Sequence, residues 1–174
     1  MGLDITAYSG LEKLNAKLND DGDAIDASTG ATIEGRWCSL FPNSDFLARA
    51  DGVDGIYRFK ARFDFRAGAY SGYSAFRESL AKLAGYPKAV TTYRGITETR
   101  HDEGAFASSG GPFWELIYFS DCEGVIGPTT SAKLARDFSE HQAKAGADEW
   151  FRECYHNWKE ALELAAKGGA LKFH

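Results

Sequence analysis

The sequence predicts a single α+β domain over residues 1–174, with a mostly antiparallel sheet packed against helices and a helical C-terminal half. Three observations carry this expectation. Residues 56–65 alternate strictly between apolar and polar side chains, the period of a strand with one wet face. Apolar stripes at helical spacing follow helix-start signals near Ser74, Gly127 and Asp148. Finally, 174 residues with 44% hydrophobic content are enough to bury one sizeable core.

Taken in order, Leu3, Ile5 and Ala7 fall on one face of the first segment and Asp4, Thr6 and Tyr8 on the other, as in a half-buried strand. Residues 11–18 are expected as a short helix, and Asn19-Asp20-Asp21-Gly22-Asp23 as a solvated turn. This acidic run is not an EF-hand, because Lys17 stands where that loop needs its first aspartate. Residues 25–33, interrupted by Ser28-Thr29-Gly30, read as a small hairpin or an irregular excursion.

Across residues 56–65, Tyr57, Phe59, Ala61, Phe63 and Phe65 share one face, while Arg58, Lys60, Arg62 and Asp64 share the other. A glycine loop follows. Ser74 is then placed to cap a helix that carries Phe76, Leu80 and Leu83 on one stripe and ends near Gly85 and Pro87. Residues 90–97 can form another strand, and residues 101–111 a polar loop rich in glycine and serine. Pro112 suits the first turn of a short helix to Phe119, although the aromatic run is equally compatible with a buried strand. Gly127-Pro128-Thr129 opens a helix to about Lys144, and Asp148 opens another to about Lys167. Trp150, Cys154, Trp158, Ala161, Leu162 and Ala165 form the expected apolar stripe of that last helix, after which Leu171 and Phe173 return as a strand.

Composition narrows the function classes. Lys+Arg of 20 against Asp+Glu of 25 leaves a net charge of -5, which disfavours whole-surface attraction to nucleic acid or anionic membrane but leaves room for a local basic patch. No stretch approaches the ~20 apolar residues that span a bilayer, and the opening residues lack the basic and apolar regions of a secretory signal, so a cytoplasmic location is expected. Three widely separated cysteines, Cys38, Cys122 and Cys154, form no C-x-x-C pair and argue against a disulfide framework or a zinc site. No motif implies a cofactor, and no metal is expected.

Two segments carry candidate chemistry. In residues 65–73, Arg66 can hold an anion bidentately, Ser71 offers a hydroxyl, and Tyr70 and Tyr73 offer stacking faces beside a helix start. Together they form a candidate cradle for a phosphate bearing a flat base, approached by the basic strand face of Arg58, Lys60 and Arg62. The competing reading is a tight turn with packed tyrosines and a strand face charged for solubility. In the second segment, Asp121 and Glu123 flank Cys122 and can act as acid, base, metal contacts or readers of a ribose hydroxyl. No histidine is close enough in sequence to activate the thiol, so Cys122 reads as a packed residue.

The opening MGLDITAY, the segment FRAGAYSGY at residues 65–73 and PFWELIYFSDCEGVIGP at residues 112–128 resemble small uncharacterised proteins of bacteriophages and prophages. The resemblance covers most of the chain, including its terminal GGALKFH. It implies an accessory phage protein made in the bacterial cytoplasm, a class in which counter-defence factors that bind nucleotide signals are frequent. The expectation is therefore a binding protein that sequesters a small anionic, nucleotide-like ligand through Arg66, Tyr70, Ser71, Tyr73, Asp121 and Glu123. One alternative is a hydrolase acting on a nucleotide or related phosphate compound, with Asp121 and Glu123 at its centre. Another is an inhibitor of a host protein that presents Trp37, Phe41 and Phe46 as an aromatic anchor. Neither a membrane nor extended nucleic acid is an expected partner, and a homo-oligomer is compatible with the chain.

Overall fold

The alternation at the start of the chain organises the molecule, because the strand it forms becomes an inner strand of the main sheet. The computed structural model describes residues 2–146 and 148–174. Its first half contains β1 (Leu3–Ser9), β2 (Glu12–Lys13), β3 (Ala16–Leu18), β4 (Ala24–Asp26), β5 (Trp37–Leu40), a 3-10 segment Ser44–Ala50, β6 (Gly55–Arg58) and β7 (Ala61–Gly68). There follow α1 (Tyr70–Ala84), β8 (Ala89–Tyr93), β9 (Ile96–Arg100), α2 (His101–Phe106), α3 (Trp114–Ile117), β10 (Gly124–Ile126), α4 (Pro128–His141), α5 (Glu149–Ala165) and β11 (Ala170–Phe173). The α+β class, the antiparallel sheet and the helical C-terminal half are as the sequence predicts.

The main sheet runs β10-β11-β1-β7, and its pairings are antiparallel. Register aligns the apolar positions into rows: Ile5 lies opposite both Phe173 and Phe65, and Ala7 opposite both Leu171 and Phe63. This face is covered by Tyr73, Phe76 and Leu80 of α1, Leu134 and Phe138 of α4, and Tyr155, Trp158 and Leu162 of α5. Trp158 stands at the centre, with the rings of Phe65, Tyr73, Phe76 and Phe173 at 5.1, 5.6, 5.8 and 5.7 Å. Burying such a ring contributes on the order of 3 kcal/mol, with further gain from the aromatic pairs. On the opposite face, Tyr8, Val125 and Ala170 join Cys38, Leu40, Val53 and Tyr57 in a second cluster, under the small sheet β2-β6-β5. That cluster covers only one end of the face.

Several local expectations are corrected. Residues 11–18 form β2 and β3 rather than a helix: so short a helix is marginal alone, and these residues instead pair with β6 and β4. The alternation of residues 56–65 is real but spans two strands in different sheets, β6 and β7, separated at Phe59 and Lys60. Period-two patterning is blind to such a break, because the alternation runs through it even though Tyr57 and Phe59 pack in the second cluster and Phe63 and Phe65 against the first. Residues 101–111 are not all loop. Glu78 accepts the backbone N–H groups of His101 and Asp102 at 2.7 and 2.9 Å, satisfying orphan amides at the start of α2. In α5 the buried stripe is Phe151, Tyr155, Trp158, Ala161, Leu162 and Ala165, whereas Trp150 is 46% exposed. The helix starts where expected, with the Asp148 carboxylate accepting the Phe151 N–H at 2.7 Å, and its stripe is as predicted from Trp158 onward, but in the first turns Phe151 and Tyr155 are buried in place of Trp150 and Cys154.

Candidate functional site

Strand alternation places Asp4, Thr6 and Tyr8 on the face of β1 turned away from the helices, and register sets Arg66, Asp64 and Arg62 beside them on β7. On the other side Lys172 lies opposite Thr6, and the backbone N–H of His174 donates to the Asp4 carbonyl at 3.1 Å. The second cluster leaves this end of the sheet uncovered. A cavity of about 470 Å³ opens there, lined by Asp4, Thr6, Arg62, Asp64, Arg66 and His174. A neighbouring cavity of about 360 Å³ shares His174 and adds Phe41, Glu123 and Lys172.

Hydrogen bonding fixes the polar groups of this face. The Thr6 hydroxyl donates to Asp64 Oδ1 at 2.8 Å and lies 2.9 Å from His174 Nε2. A hydroxyl has one proton, so with that proton given to Asp64 it accepts from Nε2, which makes His174 the Nε2–H tautomer or the cation. Arg62 Nε donates to both oxygens of Asp64, at 2.9 and 2.7 Å. That pairing holds the Asp64 carboxyl below its ordinary range. Partial burial, reinforced by Lys172 and Arg62, pulls the His174 imidazole below its ordinary value, against the opposing pull of Asp4 and Asp64. Both arginines are exposed, but Arg66, unlike Arg62, enters no ion pair among the described residues. Its guanidinium crosses so close to Gly2 that any side chain there would collide with it.

The predicted ligand residues are dispersed. Arg66 lines the open-face cavity, and Glu123 borders the adjoining one beside Lys172. Tyr70 and Ser71 occupy the first turn of α1, which begins ahead of Ser74 and has no side-chain cap on its N-terminus. Tyr73 is not a stacking face. It is fully buried under the opposite side of the sheet, stacked on Trp158, with its hydroxyl donating to the Leu116 carbonyl at 3.1 Å. The reason is rotation: with α1 starting at Tyr70, Tyr73 points inward together with Phe76 and Leu80. Asp121 is half-buried and accepts from the Cys122 thiol at 3.5 Å, and burial and that carboxylate together raise the thiol above its ordinary value. Cys122 is exposed rather than packed.

Sequence reasoning missed Thr6, Lys172 and His174 as members of this face. Their alternation was visible, but which strands lie beside β1 is a matter of register. It also missed Arg49, which is buried with its guanidinium 4.7 Å from the rings of both Phe46 and Trp114 and 5.3 Å from Tyr118. Desolvation pulls the Arg49 pKa down, and the rings supply the compensating cation–π attraction. Phe46 is thus a wall of this cage, while Phe41 and Leu47 remain exposed.

No protein-family model, curated protein or solved structure matches this chain. Among the described residues no group of three or more His, Cys, Asp and Glu side chains is arranged to hold a metal ion, and no helix is long and apolar enough to cross a membrane.

Proposed function

We infer that this protein binds and holds a small anionic, phosphate-bearing ligand on the open face of its main sheet. The observation that carries the reading is Arg66, an exposed guanidinium with no ion-pair partner among the described residues, lining a cavity that also presents Arg62 and His174. A planar guanidinium matches two phosphate oxygens at once, and the adjoining cavity adds Lys172, which enters no ion pair among the described residues. Glu123 and Asp4 supply acceptors at the edges, which suit the hydroxyls of a sugar. In this reading the ligand is nucleotide-like, and sequestration of such a signal in the bacterial cytoplasm is the task of a phage accessory protein. The support for that context is the resemblance of the three sequence segments. Tyr73 has no part in the binding.

The test is native mass spectrometry of the protein expressed in a bacterial host, beside its denatured mass. An intact phosphate compound released on denaturation, and at least tenfold weaker rebinding of that compound to Arg66→Ala, are expected. Wild-type affinity in Arg66→Ala overturns the assignment, and return of a cleaved product in place of the intact compound favours the hydrolase reading. Exposure of Phe41 and Leu47 favours a second reading, a protein-binding inhibitor, in which purified protein carries a polypeptide partner rather than a small molecule.

A further inference from the structure

On the helical side of the molecule, the C-terminal half of α1 and the first turn of α5 border a groove of about 580 Å³. Leu83 and Phe151 line it as apolar surface, and Trp150 stands beside them 46% exposed. The Trp150 indole has no ring partner among the described residues, whereas the neighbouring Phe151 packs on Phe76 and Tyr155 at 5.6 and 5.8 Å. A large flat apolar surface is thus left facing a concavity. Lys82 and Lys144 also line the groove; both are exposed, and neither enters an ion pair among the described residues. Asp148 also lines it, one carboxylate oxygen accepting the Phe151 N–H as the cap of α5, so two ammonium groups stand there against one carboxylate and the lining is net positive.

The volume lies within the range of small-molecule sites, and the combination of an apolar floor, a free aromatic face and two uncommitted ammonium groups selects a particular chemistry. A purely apolar ligand leaves both lysines unanswered, while a bare inorganic anion leaves the indole wet. We propose that this groove is a second binding site, taking a planar aromatic group that carries one phosphate or carboxylate. The ring lies against Trp150 and Leu83, and the anionic group meets Lys82 and Lys144. Stacking sets the affinity for the ring and the lysines orient it, so both parts of the ligand are required. This site is independent of the open sheet face, and it stands whether or not Arg66 binds a ligand.

The experiment titrates the full chain with 1-naphthyl phosphate by isothermal calorimetry, with inorganic phosphate and 1-naphthol as the two half-ligands. Saturable binding of one equivalent of the intact probe that depends on Trp150 is expected, with each half-ligand at least tenfold weaker at that site. Trp150→Ala and the double variant Lys82→Ala/Lys144→Ala lose at least tenfold at this site, and Trp150→Phe recovers most of the affinity; any binding of the probe at the open sheet face is recognised by its loss in Arg66→Ala and its persistence in Trp150→Ala. These side chains are at the surface, so the variants are expected to fold; circular dichroism and thermal melts check this before titration. Absence of saturable binding, wild-type affinity in Trp150→Ala, or loss of binding in Arg66→Ala with the groove variants unaffected would overturn the proposal.

Discussion

Replacing Tyr73 separates a core role from a ligand-binding role. Tyr73→Phe keeps the ring that stacks on Trp158 at 5.6 Å and meets Phe173 at 6.2 Å, and removes only the hydroxyl that donates to the buried Leu116 carbonyl. Leaving that carbonyl without its partner costs about 1–2 kcal/mol. Tyr73→Ala also removes the ring, its packing and its contact with the Arg77 guanidinium at 4.7 Å, and a buried aromatic cut to alanine costs about 3–5 kcal/mol. A chain of 174 residues has a total stability on the order of 10–25 kcal/mol, so both variants are expected to fold. Urea unfolding, followed by tryptophan fluorescence and circular dichroism together, measures the two losses. At roughly 2–4 °C per kcal/mol, the alanine variant is expected to melt about 6–20 °C below wild type, and the phenylalanine variant several degrees below it. Ligand affinity of Tyr73→Phe at a temperature where it is folded is expected to equal that of wild type. The reasoning is refuted if both variants are within about 1 kcal/mol of wild type, or if Tyr73→Phe loses the ligand while retaining full stability.

Three further outcomes follow from particular contacts. The folded-state pKa of His174 is depressed, so its contribution to stability is fully present above the unfolded value of 6.5 and is lost as pH falls through the folded value; urea midpoints measured down from pH 7.5 should show a fall that His174→Asn flattens. Asp64 adds a second loss below its ordinary 3.8, as protonation releases Arg62 and Thr6. In Gly169→Ala the new methyl group would overlap the Tyr8 carbonyl, forcing β1 and the chain entering β11 apart; a loss of about 3 kcal/mol or more is expected in chemical denaturation. Lys133→Met removes the ammonium group that meets Glu115 at 2.6 Å, Asp137 at 2.8 Å and the Gly111 carbonyl at 2.5 Å. Because Lys133 is partly solvated, the expected cost is about 1–2 kcal/mol, less than for a fully buried pair, and Glu115→Gln should add little to it in a double-mutant cycle.

How much was legible follows from which physical signals are local. The strand at residues 3–8, the capping aspartate at position 148, and Pro128 at a helix start are set by neighbouring residues, and each appears in the structure as the sequence predicts, whereas the alternation of residues 56–65 is divided between two strands. Capping and side-chain period operate within a few residues, which is why they survive into the fold almost unchanged. The helix over residues 11–18 failed because its few internal hydrogen bonds compete with strand partners far along the chain. Tyr73 and Trp150 were misplaced for related reasons: α1 begins a turn ahead of Ser74, which carries Tyr73 onto the stripe of Phe76 and Leu80, and the first turn of α5 buries Phe151 in place of Trp150.

The sequence by itself determined that this chain folds as α+β, and it singled out Arg66, though as part of a loop rather than of the strand it occupies. Only the tertiary structure decided that Arg66, Thr6, Lys172 and His174 share a face, because register joins residues from both ends of the chain. It also decided that Tyr73 belongs to the core and that Trp150 is left beside an open groove. The physical reason is the range of the forces involved: backbone and side-chain periodicity are written locally, whereas burial depends on what the rest of the chain brings to each surface.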